Sequence, residues 1–295
     1  LTNCIKTTDN QWQVDFNLTL PSFTPHLAGT LNLITLSSSS AFFPPIFFTS
    51  SIGTLGNWDS IHPGSVVPEK PLADPRIPLS QGYGESKWIA ERLSHFAQEK
   101  SGVSSAVLRV GQIAGPVGIE GGEKWEWLPS IVASSGCLGL IPADLAGKDG
   151  IAWIPVDILA RIIWDLVEGD CTNGKAEEAW TKYYHLTNPH ESRWKDLVPA
   201  ILEHFSRKND QKSFRAVTFA KWVESLGKSA NEKDVDVEKT PAIKLLDFYH
   251  GMSDGSGEIG MRLETKDTQI ASQTMRGLRG VGKEWMELWL DQWKF

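Results

Sequence analysis

Apolar and polar positions alternate between two periods along the chain. Leu18 to Ser37 carries Leu27, Leu31 and Ile34 at helical spacing, which predicts a helix with those three residues on its buried side. Ala41 to Thr54 is an apolar run, broken by Pro44-Pro45, that ends in hydroxyl residues; it predicts a short buried strand. Asn57 to Pro78 is rich in Pro, Gly and Asp and predicts a long surface loop, placed over an active site. Helical periodicity returns from about Gln81 to Lys100, with Ser101-Gly102 as the stop signal. Ala106 to Pro116 predicts a second buried strand, running into a glycine-spaced loop. Val117 to Gly150 has many glycines and weak periodicity. Ile151 to Pro155 predicts a strand, Asp157 a cap for a helix Ile158 to Glu168, and Tyr183 to Leu186 a last strand. From Ser192 onward the pattern is helical, interrupted by a charged segment, Ser225 to Thr240, expected to be a mobile loop. Trp285, Trp289 and Trp293 recur every four residues, the spacing of a packed helix face. The sum is an α/β region followed by a smaller, mainly helical one.

Composition narrows the class. With 295 residues, 41% hydrophobic and 22% charged, the chain has enough apolar material for a substantial core and is globular. A net charge of -7 argues against a nucleic-acid partner. The longest apolar stretch, around Ala41 to Phe48, is too short to span a bilayer, so no membrane partner is expected. Cys4, Cys137 and Cys171 lack metal-ligand spacing; no metal site is expected, and small core thiols in a reducing, cytoplasmic setting are.

Candidate chemistry centres on Tyr83-Gly84-Glu85-Ser86-Lys87. On a helix, Tyr83 and Lys87 share one face, so the ammonium can lower the phenol's pKa and let it exchange a proton near neutral pH. Such a pair is common by chance. Its surroundings carry the weight: a strand ending in hydroxyls before it, and a strand ending in Gly111-Gln112-Ile113 after it.

That order of strand, hydroxyls, Tyr-x-x-x-Lys helix and strand resembles the active-site half of the extended short-chain dehydrogenase/reductase superfamily. Further segments resemble, in order, the thioester-reductase (male-sterility-type) domains that end fungal adenylate-forming reductases. They are Asn10 to Asn17, Ser22 to Leu33, Leu108 to Pro116, Trp153 to Asp157, Tyr184 to Asn188 and Pro241 to Tyr249. The resemblance implies an α/β fold: an incomplete Rossmann-type, doubly wound parallel sheet with a smaller, mainly helical C-terminal substrate domain. The sheet domain would take residues 1–116 and 151–190, and the substrate region 117–150 and 191–295. The implied activity is NADPH-dependent reduction of an acyl thioester, held on the phosphopantetheine arm of a carrier domain, to an aldehyde or alcohol. The implied catalytic residues are Ser51, Tyr83 and Lys87, with Tyr83, Lys87, Gly111, Gln112 and Ile113 beside the cofactor. Ser51 takes the hydroxyl position when counted back from Leu55-Gly56. His26 falls where related reductases support a proton-relay water, and Trp125 and Trp127 are candidates to line an aryl entrance.

The chain departs from this pattern at its start. It begins at Leu1, carries no Gly-x-x-Gly-x-x-Gly loop, and has Gln11 and Gln13 where the family has Ala and Pro. The first strand, ending near Asn10, would be the family's fourth, with roughly 60 residues of strand–helix units missing. An N-terminally truncated reductase that binds NADPH weakly is therefore expected. The alternatives are an inactive remnant, or an extended short-chain dehydrogenase acting on a free carbonyl or nucleotide-sugar.

Overall fold

A computed structural model describes residues 18–118, 127–172, 178–208, 212–231, 236–253 and 261–294. The strand expected near Asn10, Cys4, Trp125 and the side chain of Trp127 lie outside the described residues. In chain order the elements are α1 (Thr24–Ser39), β1 (Ile46–Ser51), α2 (Gly82–Ser101), β2 (Ser105–Val110), β3 (Ile113–Ala114), α3 (Trp127–Leu138) and β4 (Leu140–Pro142). They continue with β5 (Gly150–Ile151), β6 (Ile154–Pro155), α4 (Val156–Thr172), β7 (Thr181–Leu186), β8 (Ser192–Arg193), α5 (Trp194–Lys208) and β9 (Arg215–Val217). The last are α6 (Phe219–Ala230), α7 (Leu246–Ser253), α8 (Lys266–Ala271) and α9 (Lys283–Trp293), with single helical turns besides, among them Trp58–Ile61 and Gln273–Arg276. These elements divide into two compact units. Among the described residues the first comprises 18–111, 165–186 and 261–271, and the second 112–164, 187–253 and 272–294.

The first unit is built on a parallel sheet in the order β1-β2-β7. Parallel neighbours need a crossover, and α2 supplies it between β1 and β2. Ser51 is in register with Val110, and Val110 with Leu186. Strand β1 is shorter than the apolar run predicted. Pro44 and Pro45 have no N–H to give a ladder, so pairing begins at Ile46, and Phe42 and Phe43 are exposed. At its other end the backbone leaves the sheet in a 3-10 turn, Ile52–Leu55, capped by Ser51 Oγ accepting the Gly53 N–H at 3.1 Å. Strand β2 is buried from Ser105 to Arg109, as a strand covered on both faces must be. Helix α2 ends where expected: Gly102 takes the left-handed conformation, φ 63°, that closes a helix without Cβ strain.

Helix α1 corrects one expectation. Ile34 is buried against Ala97 and Val103, but Leu27 is only half-buried and Leu31 is exposed. Helical spacing identifies an apolar stripe; the partner surface decides which of its residues are covered. The segment Asn57 to Pro78 is also more than a surface loop. Leu55, Trp58, Val67 and Ile77 form a buried cluster with Met261 and Leu263 packed on it. Glu69 in the same segment is buried, accepting hydrogen bonds from the backbone of His185, Asp267 and Thr268 and from the Thr268 hydroxyl.

The second unit holds three two-stranded pairs: β3-β6 and β4-β9 parallel, β5-β8 antiparallel. The single strand expected over Ile151–Pro155 is split between two of them. Its core is aromatic. Trp194 donates to Pro142 O at 2.8 Å, Trp222 donates to Ser135 Oγ at 3.0 Å, and Tyr249 meets Trp222 edge-on. The Trp285, Trp289 and Trp293 stripe of α9 is buried. Helix α6 runs through to Ala230, so the segment expected to be a loop from Ser225 is helical over its first six residues. Thr218 caps that helix through the Lys221 N–H, and Trp222, Val223 and Leu226 bury its apolar face. Asp157 does not cap α4; it lies within the first turn, and its carboxylate accepts the Val117 and Gly118 N–H groups. Cys137 and Cys171 are exposed free thiols rather than core residues. No helix among the described residues is long and apolar enough to cross a membrane.

Candidate active site

Tyr83 and Lys87 lie on α2 one turn apart, as their spacing requires. Helix α2 approaches the turn after β1 closely because Gly84 carries no side chain, and Gly82 likewise lets the Leu18–Leu20 backbone come close. A Cβ on Gly84 would sit 2.9 Å from Gly53 O, and one on Gly82 would sit 2.4 Å from Leu18 O. Lys87 Nζ donates to Thr49 O at 2.7 Å. The helix therefore touches β1 two residues before Ser51 and the following turn two residues after it. The same ammonium lies 5.1 Å from the centre of the Phe48 ring and 5.8 Å from that of Tyr83. The Tyr83 ring meets Phe23 edge-on at 6.3 Å. Burial pulls the Lys87 ammonium below the ordinary lysine value of 10.5, and the carboxylate of Glu91, one turn further on, pulls it back up.

Ser51 ends β1 half-buried, while its neighbour Ser50 points to the other side, as strand alternation dictates. Ser50 Oγ donates to Glu91 Oε1 at 2.5 Å, and Thr54 donates to the same oxygen. Ser51 Oγ accepts the Gly53 N–H, which leaves its own hydrogen to be donated outward. Gly111 follows Val110, the register partner of Ser51, and its N–H is held by Leu186 O. Gln112 and Ile113 belong to the second unit. Gln112 O accepts the Ile154 N–H at 3.1 Å, and Ile113 pairs with Ile154 in β3-β6. The structure thus brings Tyr83 and Lys87 into contact, holds both beside the Ser51 strand end, and sets Gly111 just past the end of the next strand. His26 is exposed on α1, its ring 5.9 Å from Phe23.

Beneath this surface runs a buried ionic network that the sequence reading missed. Arg109 and Glu91 are fully buried and bidentate, with Nη2 to Oε2 at 2.8 Å and Nε near both carboxylate oxygens. Arg109 Nη1 donates to His185 Nε2 at 3.1 Å, and His185 Nδ1–H donates to Glu264 O at 2.7 Å. Burial and the adjacent guanidinium push the His185 imidazole down to about 3, so it is neutral. The guanidinium also stacks over the Tyr183 ring at 4.8 Å. Glu91 follows Lys87 by four residues as Lys87 follows Tyr83, so one helix stripe carries phenol, ammonium and carboxylate. The available signal was Arg109 itself, the one charge in an otherwise apolar strand.

The profile of the family described as Male sterility protein, an NAD-binding family, matches residues 14–163. A carboxylic acid reductase of Neurospora crassa is 38% identical over 97% of this chain and 26% of its own length. The adenylate-forming reductase Nps9 of Serpula lacrymans is 32% identical over 96% of this chain, again 26% of its own length. The chain spans about a quarter of the length of these curated relatives. Among solved structures, the terminal R domain of the myxalamid PKS-NRPS pathway superposes with a TM-score of 0.70 at 20% identity. That match covers 94% of this chain and 65% of the R domain, and extends the likeness of fold to nearly every described element. Half of the chain, including β1, Ser51, Tyr83, Lys87 and the loop after β2, lies inside the profile match; the chain belongs to the male-sterility-type family of NAD-binding domains.

Proposed function

We propose that this chain supplies the carbonyl-reducing site of a thioester reductase. Its substrate is an acyl group on the phosphopantetheine arm of a carrier domain, its reductant is NADPH, and its product is an aldehyde or alcohol. The observation that carries the proposal is the seating of Tyr83 and Lys87 against the C-terminal end of β1, where parallel sheets place their ligands. The names of the sequence relatives support the reaction class.

The residues suit a nicotinamide nucleotide. Lys87 has three N–H donors and, among the described residues, gives one to Thr49 O, so two can serve vicinal ribose hydroxyls. When bound, NADPH supplies hydride to the carbonyl carbon. Tyr83 donates its phenolic proton to the carbonyl oxygen, and the Lys87 ammonium stabilises the phenolate that remains. Ser51, its oxygen fixed by the Gly53 N–H, donates a hydrogen bond to the same oxygen as negative charge develops. Gly111, at the end of β2, would lie beside the nicotinamide, the place that the family resemblance implies for Gln112 and Ile113 as well. The carbon–sulfur bond then breaks, releasing aldehyde and the carrier thiol. Cys137 and Cys171, as exposed thiols, fit the reducing cytoplasm in which NADPH is the working reductant.

Lys87 gives this scheme a pH signature. Its folded-state pKa lies below the unfolded 10.5, so between those values the unfolded chain holds one more proton. Folding stability therefore rises with pH across that window, while a rate that needs the ammonium falls. The alkaline limb of kcat/KM is expected below pH 10.5, and Lys87→Arg, which keeps its charge, is expected to move that limb upward at a reduced maximal rate. A pH–rate profile of the full-length gene product, run with NADPH and with NADH, checks both the limb and the cofactor preference. A limb unmoved by Lys87→Arg would contradict the role given to Lys87.

A further inference from the structure

The second unit contains a cavity of about 150 Å³ to which the scheme above gives no ligand group. Its wall includes Ile113, Ala114, Leu128, Trp153, Val156 and Trp293, with Gly115 and Gln112 also lining it. Apart from Gln112 the lining side chains are apolar. The wall is also closely packed. Trp289 packs so closely on Gly115 that a Cβ there would lie 2.7 Å from its ring; Trp293 stacks on Trp289 and Trp153 meets it at a tilt.

We propose that this cavity is a size-selecting subsite for the acyl group, accepting a compact apolar end of about one six-membered ring. Three observations converge on it. An apolar cavity of roughly 150 Å³ stays dry and accepts benzene, so the volume sets the size. The aromatic wall suits a ring, by offset or edge-on contact. Gln112 and Ile113, two of the residues assigned beside the nicotinamide, are themselves part of the cavity lining. Calling the ligand an acyl group rests on the thioester-reductase reading; the cavity, its volume and its apolar wall do not.

The test is calorimetric titration of the chain, without cofactor, with S-benzoyl, S-cyclohexanecarbonyl, S-acetyl and S-(biphenyl-4-carbonyl) pantetheine. The two single-ring acyl groups are expected to bind at least about tenfold more tightly than acetyl, because each buries a ring's worth of apolar surface. Biphenyl-4-carbonyl is expected to lose that advantage. Ala114→Phe, which fills the cavity, is expected to abolish the preference. Val156→Trp, at a more exposed position on the cavity edge, repeats the test if Ala114→Phe lowers the melting temperature. Equal affinities for all four thioesters, or a preference that survives both substitutions, overturns the proposal. The reaction fails separately. A protein that shows the expected order of affinities and reduces no thioester keeps the subsite and loses the reductase reading. One that reduces acetyl and benzoyl thioesters with equal kcat/KM keeps the reaction and overturns the subsite.

Discussion

Tyr83→Phe is expected to lower thioester reduction by the full-length gene product about a hundredfold to ten-thousandfold, the usual contribution of a placed general acid. The change removes one hydroxyl and leaves the ring against Phe23 and the Lys87 ammonium, so the fold and the melting temperature should persist. Tyr183→Phe is the matched control. It makes the same chemical change on β7, where the Tyr183 hydroxyl is buried and has no hydrogen-bond partner among the described residues. Removing an unsatisfied buried hydroxyl should leave activity intact and stability unchanged or slightly raised. Initial rates of NADPH oxidation with an acyl-pantetheine substrate distinguish the two. Equal rates for Tyr83→Phe and wild type would mean that the proton comes from elsewhere.

Glu91→Gln is expected to give the largest loss of stability, about 3–5 kcal/mol, because it leaves the Arg109 guanidinium buried without its counter-charge. Against a total stability of about 5–15 kcal/mol, that loss would shift the urea midpoint far down. The pair is worth much less than the cost of breaking it. Burying two charges offsets most of their attraction, so Glu91→Leu combined with Arg109→Met should recover most of the lost stability. A Glu91→Gln protein within about 1 kcal/mol of wild type would show a pair behaving like a solvated one, contrary to its geometry. Glu91 also holds the Ser50 and Thr54 hydroxyls at the end of β1, so the substitution should loosen the strand end that presents Ser51.

Local signals made much of this legible. Gly102 marked the end of α2, the apolar run from Ala106 marked β2, and Tyr83 and Lys87 shared a face because four residues make about one helical turn. What local signals could not show was long-range pairing. Glu91 and Arg109 are 18 residues apart, and Glu69 and Thr268 are 199 apart. No periodicity reports such partners. The leucines of α1 illustrate the same limit, since an apolar stripe does not reveal which of its members will find a surface to cover them. Asp157 had the position of a helix cap, but the backbone it satisfies belongs to Val117 and Gly118, about 40 residues upstream. Ser51 was chosen by counting back from Leu55-Gly56 against the family's hydroxyl position, with strand alternation turning Ser50 away, and the structure places the two hydroxyls in the separate surroundings that alternation requires.

The central claim is that the Tyr83–Lys87 face of α2, beside Ser51, supports hydride delivery to a thioester carbonyl. A single-turnover reaction tests it most directly, using the full-length gene product, an acyl-pantetheine thioester and NADPH deuterated at the transferring position. Mass spectrometry of the released aldehyde should show one deuterium on the carbonyl carbon for each cofactor oxidised, and Tyr83→Phe should form that labelled aldehyde at least about a hundredfold more slowly. Unlabelled aldehyde, thioester that is left intact while the cofactor is bound, or labelled aldehyde formed equally fast by Tyr83→Phe would contradict it.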